Sequence, residues 1–538
     1  APTGGLWKTT SGGNAWAPLA DTMPSLNISA LVMDPTNPDI LYAGSGGGIY
    51  KTVDAGDNWH VFIGTQLAIW YRTLIVTPNT DGSFELYAAT DKGVWHYHGT
   101  DPTALASTMS EWTQVKTGEV RELVQHPTNP DEFFVTTVVD DVGHVYHSKP
   151  GAAPTGDGSW DEITANIPET SVITVRLTIA PADSDVMYAG VHVPTGDNGQ
   201  YVLYRSDNGG DDWTERLRRD RGYQLHDNTY WENWYNDYVV ADRLDEDIVY
   251  LGHVQGYRYN DTTKIPTRML GIHDDQHGLY FHPQTETTVY MLGDGGIFEC
   301  PNRGPQCSSL NETLNVVQFY DIALSASDPD LIIGGTQDNG TIRTNNGAIV
   351  WDSLRDGDGR YTLIDPVDPD IMYSQHQYLD EIRQTDAGTG PVPPLLNWHG
   401  QKGLQPGPGD TSVPKEQRWD GDPYMIHHPT DRNIIMTAGP EVYVTDAAAG
   451  DWESCKTNDS CQFTAIGPSP SSTLGDVSRV AVDPDTGIYF AATTGGQLWM
   501  SNSQGTYWTI VFKPKYGVKV DSLIIDPHDS TRLWMTFE

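Results

Sequence analysis

The sequence predicts an all-β protein, a β-propeller of four-stranded antiparallel blades. Three observations predict it. A Pro/Asp-rich turn returns along the chain, short apolar strands flank each copy, and a decapeptide ending in Trp closes many of the units. Repeats at a fixed period of this kind decide the architecture before any single residue does.

The turn is clearest in "DPTNPDILYAG" (34–44), "HPTNPDEFFVTT" (126–137), "DPVDPDIMYSQ" (365–375), "DPDTGIYFAAT" (483–493) and "DPHDSTRLWMTF" (526–537). Weaker copies start near Thr77, Ala180, Asp242, His282, Ser325 and His428, giving eleven in all. A short apolar strand precedes each, as in "ISALVM", "YRTLIV" and "VDSLII", and a second follows, as in "ILYAG" and "IVYLG". A Gly-rich turn then leads to a third strand ("GGIYKT", "YVLYRS", "GQLWMS"), and a Trp-bearing fourth strand ends the unit. Short strands at regular spacing with turn signals between them indicate antiparallel sheet. Four strands per unit at this period is a propeller blade. Helical periodicity is nearly absent.

The decapeptide is complete in "YKTVDAGDNW" (50–59), with Thr52, Asp54, Gly56 and Trp59. It resembles the Asp-box, or BNR repeat, S/T-x-D-x-G-x-x-W. Further copies stand at 9–16, 206–213, 344–351, 445–452 and 501–508, with Ser11, Asn208, Asn346, Ala447 and Ser503 in place of the aspartate. A short polar side chain can accept from turn amides, Gly takes a positive φ, and Trp fills the gap between neighbouring sheets. These positions therefore read as scaffold rather than chemistry.

The chain begins with a third-strand pattern ("GGLWKTT") and stops after a second-strand pattern ("TRLWMTFE"). Pairing of the two ends would close a ring and remove exposed sheet edges. The expectation is propeller repeats over 1–538, about ten or eleven of them. A single large ring, as in the sortilin-type propellers that the pattern resembles, is favoured over two smaller rings in tandem, as in glycoside hydrolase family 74.

Composition narrows the function. With 32 Lys+Arg against 72 Asp+Glu, the formal net charge is −40, so nucleic acid is not an expected partner. No apolar run approaches the length of a membrane helix, and no membrane insertion is expected. An acidic exterior favours solubility in salt and could hold Ca²⁺ loosely; no cofactor is required by the reading. Cys300/Cys307 and Cys455/Cys461 flank short polar stretches without zinc-like spacing, so each pair reads as a loop-stapling disulfide. That places the protein outside the cell, and "APTGG" reads as a mature end left after signal cleavage.

In a propeller the first strands line the central channel. Aligning the units on their turns puts one residue at the mouth of each: Ser29, Arg72, Arg121, Val175, Asp237, His277, Tyr320, Arg360, Pro423, Ser478 and Asp521. "WENWYNDY" (231–238) crowds Trp231, Trp234 and Tyr235 beside Asp237, and rings next to carboxylates suit sugar recognition. In "HDDQH", His273, Asp275 and His277 alternate and share one side of a strand. Three ligands on one strand wrap a zinc ion poorly, so no metal site is assigned. Turns between second and third strands add Asp91, Asp294 and Asp338, and "RDGDGR" adds Asp356 and Asp358.

The run from "DDQHGLYFHP" through "VYMLGDGGIFE" and "IIGGTQDNGT" to "DGDGRYTLIDP" resembles secreted BNR-repeat proteins labelled glycosyl-hydrolase-like or sialidase-like. The likeness covers about 230–375 well and the rest through blade pattern. Family 74 enzymes carry catalytic aspartates in an Asp-x-Gly-Gly turn, which Asp294 matches in outline; the earlier turn "SGGG" has Ser45 where an acid is expected. "WYRTL" (70–74) matches only the arginine of the sialidase motif, so a sialidase is not inferred.

The resulting expectation is a secreted carbohydrate-active propeller that hydrolyses a glycosidic bond of a polysaccharide or oligosaccharide. Asp294 and Asp237 form the expected carboxylate pair, with Asp358 in reserve. Arg72, Arg121, Arg360, Trp231, Trp234 and Tyr235 would bind substrate. A second expectation is a polysaccharide lyase in which arginines neutralise a uronate and His277 or Tyr320 moves the proton. A third is a non-catalytic propeller binding glycan or protein.

Overall fold

The computed structural model describes residues 4–537 apart from 69, 141, 150–152, 165–166, 168–171, 173, 194–199, 219–236, 348–349, 356, 377–381, 387–423, 446–463, 470–474 and 527. The described residues form strands, turns and three single turns of 3-10 helix, with no α-helix among them. Antiparallel sheets follow one another along the chain, most of them four-stranded and each built from consecutive strands. This is the blade topology that the repeats predict.

The chain divides into two compact units, 1–316 and 317–538. Unit 1 holds a two-stranded hairpin (7–18) and six four-stranded blades: blade 1 (28–63), blade 2 (71–117), blade 3 (120–162), blade 4 (174–218), blade 5 (238–268) and blade 6 (276–309). Unit 2 holds blade 7 (319–355), the three-stranded blade 8 (359–386), blade 9 (425–467), blade 10 (477–512) and a two-stranded sheet (520–537).

Successive blades pack face to face through apolar side chains. In unit 1, Tyr42 and Phe62 of blade 1 join Leu74 and Phe84 of blade 2, and Val145 of blade 3 joins Val175 and Val191 of blade 4. Tyr188 of blade 4 meets Val249 of blade 5, and Tyr250 of blade 5 meets Leu279 and Met291 of blade 6. The hairpin then stands between blade 6 and blade 1. Trp16 Nε1 donates to Leu310 O at 2.8 Å and Trp16 N donates to Thr313 Oγ1 at 2.8 Å, while Leu6, Ala20 and Met23 share a buried cluster with Ala43 and Tyr50 of blade 1. The packing of unit 1 therefore runs in a closed circuit through the hairpin.

The box turns hold the outer ends of the blades. Thr52 Oγ1 accepts from Gly56 N at 3.1 Å and donates to Asp54 Oδ1 at 2.6 Å, and Asp54 Oδ1 accepts from Asn58 N at 2.9 Å. Ser206 and Asn208 repeat this with Gly210 and Asp212; Thr9 and Ser11 repeat it with Gly13 and Ala15; Ser501 and Ser503 repeat it with Gly505 and Tyr507. An oxygen acceptor at the third position is what the turn needs, which is why Asn and Ser replace Asp there. The closing Trp reaches back to the preceding blade: Trp213 Nε1 donates to Ile163 O and Trp508 Nε1 to Ile466 O. The box at 445–452 lies mostly outside the described residues.

One irregularity recurs where it matters for function. The register between first and second strands shifts at Ser29, Arg72, Arg121, His277, Tyr320, Ser478 and Asp521, and across Arg360–Tyr361. These are β-bulges, which leave one residue unpaired and re-aim its side chain. The mouth positions inferred from the repeats are thus, in most blades, bulge residues. Cys300 and Cys307 form a disulfide in blade 6; Cys455 and Cys461 lie outside the described residues.

Candidate functional site

Unit 1 gathers charged side chains from first strands that are far apart in sequence. At the centre is Arg176, on the first strand of blade 4 (Thr174–Ile179). Its Nε donates to Asp237 Oδ1 at 2.8 Å, and its Nη1 donates to Arg121 O at 2.7 Å and lies 3.4 Å from Glu122 Oε2. His192 Nε2 stands 3.2 Å from Asp237 Oδ2. Behind it, the rings of His192, Tyr201 and His253 cluster with centroids 4.5–5.6 Å apart.

The two carboxylates beside Arg176 are in opposite states. Asp237 has no exposed side-chain surface. Burial pushes its pKa up, but the Arg176 charge and the adjacent His192 outweigh that and hold it below the usual carboxylate range. Glu122 keeps 29 % of its side chain exposed. Burial there pushes its pKa up, Arg176 opposes only in part, and the Asp237 charge adds to the rise. Burial also works against the charge of Arg176, and the two carboxylates more than offset it. Asp237 is thus a fixed anion, whereas Glu122 retains a proton more readily than a free glutamate.

Blade 6 carries further titratable side chains. Tyr280, on its first strand (Gln276–Phe281), is 67 % exposed, and its phenol is raised by the surrounding protein and then by the Glu122 charge. Three residues earlier on the same strand, His277 Nε2 lies 2.7 Å from Asp294 Oδ1. Asp294 occupies the turn between second and third strands, beside the bulge that re-aims His277. Blade 6 abuts the ring cluster through Gln276 N, which donates to His253 O at 2.9 Å. At blades 2 and 3, Arg72 Nη2 and Arg121 Nη1 lie 3.4 and 2.9 Å from Glu119 Oε1.

Of the residues singled out in the sequence, Arg72, Arg121, Asp237, His277 and Asp294 lie in unit 1 at these positions. Tyr320, Asp358 and Arg360 lie in unit 2. There the Arg360 guanidinium sits 4.0 Å from the Tyr320 ring centroid, its Nη2 is 3.2 Å from Asp358 Oδ2, and Asp358 Oδ1 accepts from Asp338 N at 2.9 Å. Trp231, Trp234, Tyr235 and Asp356 lie outside the described residues. Sequence reasoning missed Arg176, Glu122, His192 and Tyr280. Val175 stood in for Arg176 because the first strand of blade 4 pairs without a bulge, so alignment on the bulged blades points one residue early.

No protein-family profile matches the chain. No curated protein matches it either. Solved structures similar to it include an ancestral GH74 enzyme, with 12 % identity, 96 % of this chain and 81 % of that chain covered and a TM-score of 0.47. The GH74 enzyme of Niastella koreensis is similar at 15 % identity over 96 % of this chain and 83 % of that one, with a TM-score of 0.44. The GH74 xyloglucanase of Xanthomonas campestris is similar at 13 % identity over 97 % and 85 %, also with a TM-score of 0.44.

Proposed function

We propose that unit 1 hydrolyses a glycosidic bond of a polysaccharide, with Glu122 as the proton donor. One observation carries the reading: Glu122 and Asp237 both lie against Arg176, the first with 29 % of its side chain exposed and the second with none, and burial raises the proton affinity of Glu122. Separated acidities of neighbouring carboxyl groups are how a site assigns acid and anion roles. Glu122, with 29 % of its side chain exposed, gives its proton to the glycosidic oxygen as the bond to the anomeric carbon breaks. Water supplies the new oxygen, and Asp294, oriented by His277, takes the water proton. Asp237, which has no exposed surface, acts through Arg176 as a positioning residue. Secretion belongs to the same proposal and is supported by the Cys300–Cys307 disulfide.

Incubation with neutral and acidic polysaccharides, followed by mass analysis of the products, tests it. Hydrolysis adds the mass of one water per cleavage. Failure to release any product from any polymer would overturn it.

A second reading has its own support. The His277–Asp294 contact at 2.7 Å is an arrangement suited to a histidine base. Elimination on a uronate would use His277 to remove the proton beside the carboxylate while the glycosidic oxygen leaves. Its products gain no water and absorb in the ultraviolet through a new conjugated double bond.

A further inference from the structure

The cleavage chemistry leaves a basic cluster in unit 1 unused. Arg72 and Arg121, on the first strands of blades 2 and 3, keep 36 % and 27 % of their side chains exposed. Both lean on one carboxylate, Glu119, itself 40 % exposed. Arg176 brings a third guanidinium near, but Asp237, Glu122 and the Arg121 carbonyl engage it. Arg72 and Arg121 thus share a single carboxylate, and Arg121 Nε is buried with no acceptor among the described residues. Burial lowers the pKa of Arg121; the charge of Glu119 opposes this, and the charges of Arg72 and Arg176 add to it. In a chain of net charge −40, like charges are gathered here against the prevailing sign.

An exposed aromatic residue precedes the cluster in the chain. Trp70, two residues before Arg72, is 50 % exposed. Its backbone is pinned by the Asp91 turn: Asp91 N donates to Trp70 O at 3.2 Å, and Trp70 N donates to Asp91 Oδ1 at 3.4 Å. An exposed indole on tethered backbone offers a flat apolar face to the C–H face of a sugar ring. A guanidinium offers paired donors that match a carboxylate.

We infer that Trp70, Arg72 and Arg121 form a subsite for a sugar bearing a carboxylate, so that the polymer acted on is a uronate-containing polysaccharide. Action on that polymer rests on the hydrolase proposal, whereas the subsite stands on binding alone. The indole stacks on the ring, and the arginines exchange part of their contact with Glu119 for the sugar carboxylate. The bulges at Arg72 and Arg121 supply the local geometry that turns both side chains out of the ladder.

Calorimetric titration of the intact protein at low salt tests the subsite. The probes are a linear tetramer of 1,4-linked uronates, the same tetramer with its carboxyls reduced to alcohols, and inorganic phosphate. The acidic tetramer is expected to bind at least about tenfold tighter than the neutral one, and Arg72→Gln to remove that preference. Trp70→Ala is expected to weaken both tetramers alike. Arg121→Gln, with its fold checked by circular dichroism, should behave as Arg72→Gln does. Equal affinity for the two tetramers, no effect of Arg72→Gln, or displacement of the acidic tetramer by an equal concentration of phosphate would each overturn the subsite. Acidic preference without any cleavage would leave the subsite standing and remove the hydrolase reading. Cleavage confined to neutral polymers would leave the hydrolase reading standing and remove a uronate-containing polysaccharide as its substrate.

Discussion

Arg176 Nε lies 2.8 Å from Asp237 Oδ1, joining blade 4 to the start of blade 5 across 61 residues of sequence. Asp237 has no exposed surface, so its charge is tolerated only while the guanidinium is present. Arg176→Met should therefore destabilise unit 1 by about 3–5 kcal/mol, because it strands a buried anion. Arg176→Met/Asp237→Leu should recover most of that loss. Thermal unfolding of the single and double variants measures both.

The pH dependence has a definite sign. The folded-state pKa of Glu122 is raised, so the folded form binds the extra proton between the unfolded and folded values. Its contribution to stability is complete below the unfolded value, near the ordinary glutamate range, and is lost as pH rises through the folded value. Relative to wild type, Glu122→Gln should melt higher at neutral pH and no higher at acid pH. Turnover should fall on the alkaline side of the same titration, as the donor loses its proton. Melting curves and pH–rate profiles read the two effects.

The box turns are expected to matter for stability and not for catalysis. Asp54 is held down at about 2, chiefly by the Thr52 hydroxyl and then by Asn58, while lying in the outer turn of blade 1. Asp54→Ala should cost on the order of 1 kcal/mol through lost turn hydrogen bonds. Activity on any cleaved polymer should stay unchanged, which a matched pair of denaturation and rate measurements shows.

The N-terminal hairpin completes the packing of unit 1 through Trp16 and Leu310. Gly13 sits there at φ +91°, and a Cβ on it would come 2.9 Å from Leu310. Trp16→Ala should cost on the order of 2 kcal/mol. Its signature is faster amide exchange in both 5–26 and 306–314, two segments that only this packing links. Loss of protection in the first segment alone would contradict the circuit.

Much of this was legible in the sequence, for a physical reason. The Pro/Asp turn, the first strand and the bulge are separated by nearly constant numbers of residues, so counting back from the turn lands on Arg72, Arg121, His277 and Tyr320 at their bulges. Counting fails where the bulge is missing, as at Val175 and Arg176. It also cannot reveal protonation. Asp237 is an acid at an inferred strand mouth and Glu122 an acid one residue past one, and only burial and the shared arginine separate them. His192 and His253 come one or two residues after a glycine of a second strand, in "YAGVH" and "YLGH", and this was the available signal for the ring cluster beside Asp237.

The central claim, that Glu122 gives the proton to the leaving oxygen, is tested most directly by changing what leaves. For Glu122→Gln, hydrolysis of the polysaccharide should fall roughly 10²–10⁴-fold. Hydrolysis of an aryl glycoside with a strongly acidic phenol, which departs without a proton, should stay near the wild-type rate. Equal rates for variant and wild type on both substrates, or an equal loss on both, would contradict the assignment.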